Sequence, residues 1–480
     1  MIPVLLILIP IVAGLVSFFL KNEKAAKGWS VIASLVTLAV SLAGVYEQNA
    51  AALHADAAWL PTLGSRFTLH LDGMAKMLTL LTGISMPLVV VSTIKNDYRN
   101  AGNFYGLLLW LQAGLMGVFV SADCLLFYFF WELALIPAYF LCSGWGGEKR
   151  IPVTFKFFVY TFLGSLLMLV GILFLYFKTP DHSFAIASFY KLNLTPAEQS
   201  FGFWLFFIAF AIKMPVFPFH TWQPDTYEQS PTAVTMLLSG VMVKMGLYGV
   251  IRWILPVFPA AVVRFDHIVI ILCVIGILYA SLIAIKQDDI KRLVAYSSIA
   301  HIGLMCAAIF SSQQVGMQGV MVQMFNHGVN VIGLWIVVDA IEQNQGTRKF
   351  SELGGLAQKA PGLAILFVIM AFANIALPLT NAFVGEFMMF NGLFRYNGWM
   401  AGIAGISIIL AAVYTLGMVQ KIFYGNTVAA TENAVDSDFS VKLMLAILVV
   451  VIVVLGVYPQ PMLQLTNDTV HSVLTKIHSF

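Results

Sequence analysis

Six ionisable residues lie inside stretches that are otherwise apolar. Glu132 sits in CLLFYFFWELALIPAY (124–139), Lys213 in AFAIKMPVFPFHTWQPD (209–225) and Lys244 in LLSGVMVKMGLYGV (237–250). His301 sits in AYSSIAHIGL (295–304), His327 in QMFNHGVN (323–330) and Glu386 in FVGEF (383–387). A lone charge at the centre of a bilayer costs between ~3 and more than ~10 kcal/mol, so those that occur face a partner or water. Burial disfavours the charged form of both lysine and glutamate and brings each nearer to proton exchange at neutral pH. A Glu–Lys pair ~7 Å apart at an effective dielectric of ~20 interacts by roughly 2.4 kcal/mol. Opening or closing such a pair loads or releases a proton on the lysine. A lysine–histidine–lysine–histidine–glutamate series with waters between is a plausible relay.

Each residue also has a plainer reading. Glu132 and Lys213 could form one inert structural ion pair. Lys244 could snorkel to an interface, although seven apolar or small residues precede it and seven follow. Either histidine alone reads as a satisfied core residue, and bis-histidine haem ligation would want paired histidines on facing helices. Asp123 and Lys156, at span edges, read as interfacial. The relay reading rests on the ensemble, because the six residues fall on six different spans, each roughly central or beside a helix break.

The elements that must position these residues are membrane helices. The chain has 480 residues, of which 60% are hydrophobic and 10% charged, too few polar groups to cover a water-soluble surface. Runs of about 18 or more apolar residues recur, each able to cross ~30 Å of hydrocarbon. They lack the strand alternation of a β-barrel. Fourteen spans are expected, near 2–20, 29–46, 73–94, 104–121, 123–142, 154–177, 201–220, 231–255, 267–285, 292–311, 316–341, 361–394, 399–424 and 443–458. The first has no basic residues before it and reads as a retained helix. Loops at odd positions hold 16 Lys and Arg, those at even positions and the tail hold 8, and two more lie inside spans. That bias places the odd loops in the cytoplasm and both termini outside. It also accounts for the net charge of +3, so nothing suggests nucleic acid. Cys124, Cys142, Cys273 and Cys306 are scattered without CxxC spacing, which argues for core residues and against a disulfide framework, zinc site or iron–sulfur cluster. No polar stretch is long enough for a soluble domain; the longest run near 47–72, 178–200 and 425–442.

Two spans carry matching interruptions. The seventh is broken by Pro215 and Pro218 beside Lys213, and the twelfth, NIALPLTNAFVGEF (374–387), by Pro378 before Glu386. Five spans apart, they enter the membrane from opposite sides, which is the pattern of inverted repeats with functional groups near the midplane. The expected fold is an all-α polytopic membrane protein of about 14 transmembrane helices. It is a single domain over 1–480, with two inverted five-helix repeats, a proton-inlet half over 104–255 and a proton-outlet half over 267–424.

WELALIP (131–137), KMPVFPFHTWQPD (213–225), SPTAVTMLLSGVMVKMGLYG (230–249), DIKRLVAYSSIAHIG (289–303), FNHGVN (325–330) and LPLTNAFVGEF (377–387) resemble the antiporter-like membrane subunits of respiratory complex I. The M type, counterpart of mitochondrial subunit 4, is the nearest match, over roughly residues 70–425. The resemblance implies that Glu132 is the glutamate paired with the broken-helix lysine, Lys213. It makes Lys244 the central lysine of the eighth helix, His301 and His327 connecting relay residues, and Glu386 the terminal group of the outlet. L-type, N-type and cation/proton antiporter relatives usually carry lysine at that last position. Two departures stand out: the usual PDAH reads PDTY (224–227), losing a histidine, and the usual LPGT reads LPLT (377–380), which bears on the bend.

The resemblance implies a proton-translocating subunit of an NADH:quinone oxidoreductase, holding no cofactor, metal or quinone of its own. Its expected partners are L-type and N-type neighbours and the lipid bilayer, in a bacterial plasma membrane, an organellar membrane being the other location. A multi-chain sodium/proton antiporter, a membrane-bound hydrogenase and an inert scaffold are the alternatives.

Overall fold

Backbone crossing hydrocarbon must satisfy its own hydrogen bonds, and the computed structural model, which describes residues 1–478, does so with helices. The first half comprises α1 (Ile2–Phe19), α2 (Glu23–Tyr46), α3 (Gly73–Ser92), α4 (Ala101–Val120), α5 (Cys124–Trp145), α6 (Arg150–Lys178), α7 (Pro196–Lys213) and α8 (Thr232–Val257). The second comprises α9 (Pro259–Ile285), α10 (Ile290–Phe310), α11 (Gln314–Gln345), α12 (Pro361–Asn374), α13 (Asn381–Tyr396), α14 (Gly398–Phe423), α15 (Phe439–Val457) and α16 (Gln460–His478). Twelve helices among the described residues are long and apolar enough to cross a membrane. The two other expected spans, 201–220 and 361–394, are the interrupted ones.

Local chemistry sets the helix ends. Asp72, Asp123 and Asp289 cap α3, α5 and α10 by accepting from free first-turn N–H groups. Asp123 is therefore a buried cap at the start of its span. Thr195 and Glu198 form a reciprocal capping box that starts α7 earlier than its apolar run suggests. The core is centred on α8, α10 and α11, whose membrane windows are 100%, 94% and 94% buried. These are the helices that carry Lys244, His301 and His327. Outer helices such as α1 and α15 bury 39% and 22%, leaving apolar faces for lipid or neighbours.

Two segments depart from expectation. Residues 47–72 fold into an antiparallel hairpin, β1 (His54–Leu60) with β2 (Ser65–His70), pinned by an Asp56–Arg66 pair at 2.6 Å. Arg66 and Thr68 hold the Asp56 carboxyl down to about 2. The expected tail is the helix α16, which buries Met462, Val470, Val473 and Leu474 and lies against α3 and α11. It is amphipathic, so it carries no signal for a membrane span. The four cysteines are free and buried.

At the second break the chain runs through Ala376 and Leu379 at φ of 54° and 76°, the left-handed region that favours glycine. LPLT thus keeps the sharp turn with a leucine in a position suited to glycine. Gly456 of α15 packs directly on the Leu379 carbonyl, where any Cβ would overlap it. A left-handed non-glycine residue costs roughly 1–2 kcal/mol. Leu379→Gly should therefore raise the thermal midpoint in detergent and Gly456→Ala should lower it; a drop for Leu379→Gly would show that the turn is unstrained.

Candidate functional site

Lys213 is the last residue of α7, where the negative end of the helix dipole favours a cation. Its ammonium nitrogen is buried without a hydrogen-bond partner among the described residues and lies 5.4 Å from the Trp131 ring. Glu132, the next residue of α5, keeps one carboxylate oxygen buried and unpartnered. The two groups thus share a site without direct hydrogen bonding. They influence each other through space, which is what a tunable pair needs and a locked ion pair lacks. The break itself is held by Trp222, whose indole N–H donates to the Ile212 carbonyl at 3.0 Å.

The neighbouring helix brings Lys244 to that break. Gly246 fits so closely on Phe210 and Met214 that any side chain there would clash. On either side of Lys244, α8 widens into π-helical turns, Leu238–Met242 and Val250–Ile254, a local form often found at functional sites. Lys244 is fully buried. It donates to the Ser239 carbonyl at 2.9 Å, and its nitrogen lies 2.7 Å from His327 Nδ1. Snorkelling is excluded by these contacts.

From His327 the polar run continues across three helices. His327 Nε2 is 3.3 Å from Ser298 Oγ, and the His327 and His301 rings are 5.6 Å apart. His301 Nδ1 is 3.0 Å from Glu386 Oε1, which also accepts from Gln323 at 3.5 Å. An imidazole can receive a proton at one nitrogen and release it from the other. Lys244 with His327 and Ser298, and His301 with Glu386, therefore form two bonded segments of one line, their imidazole rings 5.6 Å apart, and Glu132 with Lys213 form a second cluster beside its start. Sequence reasoning missed Ser298 and the asparagines of FNHGVN. Asn326 and Asn330 donate to the carbonyls of Asn381 and Ala373 at 2.7 and 3.3 Å, satisfying backbone that the second break leaves open. Their place one residue before and three after His327 was the available signal.

On the odd-loop face several of the basic residues are paired. Arg292 reaches Asp225 at 3.0 Å and Glu228 at 2.7 Å, while Arg348 reaches Asp289 at 2.5 Å and Glu342 at 3.0 Å. Lys156, half-exposed at the span edge, bonds Asp225 at 2.8 Å.

A family described as NADH:quinone oxidoreductase/Mrp antiporter, transmembrane, matches residues 121–412, the stretch that holds all six residues. The chain belongs to that family. Subunit M of NADH-quinone oxidoreductase from Rhodobacter capsulatus is 36% identical over 475 residues, 95% of this chain and 92% of the relative. The subunit M of Escherichia coli K12 is 36% identical over 498 residues, 99% and 97% of the two chains. A chain of respiratory complex I from Thermus thermophilus with bound NADH shares the fold at a TM-score of 0.93 and 27% identity, covering 99% of this chain and 100% of that one. The Mrp complex from Dietzia sp. matches in fold at a TM-score of 0.84 and 22% identity, over 98% of this chain and 52% of that one.

Removing one partner of a buried polar pair strands the other, whereas replacing both with apolar groups is nearly neutral. His327→Leu should destabilise the protein by about 1–3 kcal/mol, and Lys244→Met combined with His327→Leu should regain most of that loss. Thermal midpoints of the two single variants and the double measure it; simple additivity would mean that the 2.7 Å contact carries no coupling.

Proposed function

We propose that this chain is the M-type proton-translocating subunit in the membrane arm of an NADH:quinone oxidoreductase. Electron transfer takes place in other subunits, and this one moves protons without a cofactor or metal of its own. The observation that carries the reading is the run of buried groups from Lys244 through His327 and Ser298 to His301 and Glu386, bonded at both ends and bridged in the middle by two imidazole rings 5.6 Å apart. Lys213 is the loading group at the first break, and Glu132 tunes it through space. Lys244 receives the proton in the centre, the histidines pass it on, and Glu386 ends the line. The halves over 104–255 and 267–424 act as inverted inlet and outlet repeats.

L-type and N-type antiporter-like subunits flank it in the bilayer. It is a multi-pass membrane protein. The Lys and Arg excess supports odd loops in the cytoplasm of a bacterial cell and both termini on the outer side.

A sodium/proton antiporter is the second reading, favoured by the Mrp part of the family description. Glu386, where the resemblance expects antiporter subunits to carry lysine, speaks against it.

In membranes with the assembled complex, Lys213→Ala and Glu132→Ala should each remove most NADH-driven proton pumping, with or without sodium. Intact pumping in either variant would leave the buried charges as scaffold, and a sodium requirement would favour the antiporter.

A further inference from the structure

Asn374, the last residue of α12, reaches two other helices at once. Its amide Nδ2 donates to Ser297 Oγ of α10 at 3.3 Å and to Thr415 Oγ1 of α14 at 3.1 Å. Ser297 Oγ in turn lies 3.0 Å from Tyr414 OH, and either oxygen can be the donor. All four side chains are buried. Tyr414 also lines a cavity of about 20 Å³ together with His301 and Glu386, and Ser281 and Ser407 add to its wall. A water needs ~10–15 Å³, so this space has room for one. His301 Nε2, buried here, has no hydrogen-bond partner among the described residues.

The direction of these bonds follows from proton counting. The Asn374 amide nitrogen can only donate, so it occupies one lone pair of Ser297 Oγ, whose single proton remains free to donate. When that proton goes to the Tyr414 oxygen, the tyrosine's own proton is free for the cavity shared with Glu386. When Tyr414 donates to Ser297 instead, only its lone pairs face the cavity. The same hydroxyl therefore offers the glutamate's surroundings a donor or an acceptor. Asn374, at the helix break, biases the choice.

We infer that Asn374, Ser297 and Tyr414 form a latch that couples the second helix break to Glu386. With the latch closed, Tyr414 donates to the water in the cavity and that water donates to the Glu386 carboxylate. Displacement of the end of α12 opens the latch and withdraws the donor. The three are positioning residues, acting through the water rather than carrying the proton along the line. This inference rests on the relay reading above and adds to it a link between backbone movement and the terminal glutamate.

The test uses the assembled complex and two readouts: NADH-driven proton pumping, and the infrared difference band of the protonated Glu386 carboxyl, assigned by its loss in Glu386→Gln. Tyr414→Phe, which keeps the ring, should lower pumping by about fivefold, the worth of one hydrogen bond. It should also move the carboxyl band to higher wavenumber. Ser297→Ala and Asn374→Ala should move the band the same way, and Ser297→Ala serves if the tyrosine variant fails to assemble. A fall in pumping with the band unmoved would reduce the three residues to packing and overturn the latch alone. Full pumping in Glu386→Gln would overturn the relay reading, and the latch with it.

Discussion

An ammonium group without water needs acceptors fixed around it, and the interior of this protein is organised by how Lys244 meets that need. One acceptor is a carbonyl of its own helix, Ser239, and the other is His327 on α11. The second is a base rather than an inert oxygen. The contact that makes burial tolerable is therefore also one through which a proton can leave. Ser298 on His327 and Glu386 on His301 extend the same logic, each imidazole meeting a polar partner at one ring nitrogen.

Helix breaks impose the complementary constraint. Backbone opened by Pro215, Pro218 and Pro378 must be satisfied inside the membrane. The first break uses Trp222; the second uses Asn326 and Asn330 from the helix that carries His327. The second break also holds two non-glycine residues in left-handed conformations. Strain of this kind persists only where the surroundings over-determine the backbone, and it clusters where backbone position matters to function. Glu386 lies just beyond it.

Much of the fold was legible in the chain because hydrocarbon leaves few options. Apolar run lengths gave the span positions closely, and proline placed both breaks. The hairpin at 54–70 and the helix α16 were not legible, since one is a short polar loop by composition and the other has an apolar stripe too narrow to register as a span. The ionisable residues could be singled out individually, each being costly where it stands. Tyr414 and Ser297 could not, because a hydroxyl in a helix usually bonds its own backbone, and only a partner on another helix gives it a further role.

The sequence by itself determined the membrane class, the broken helices and the identity of the six buried groups, since these follow from transfer energies and proline geometry, which are local, while the family was carried by the resemblance of its ordered motifs. Only the tertiary structure decided which of those groups touch. Lys244 and His327 are 83 residues apart yet 2.7 Å from one another, while Lys213 and Glu132 stop short of direct hydrogen bonding. Such distances depend on the rotation and depth of packed helices, and a glycine such as Gly246, which lets α8 close on the first break, sets them only when both surfaces are present.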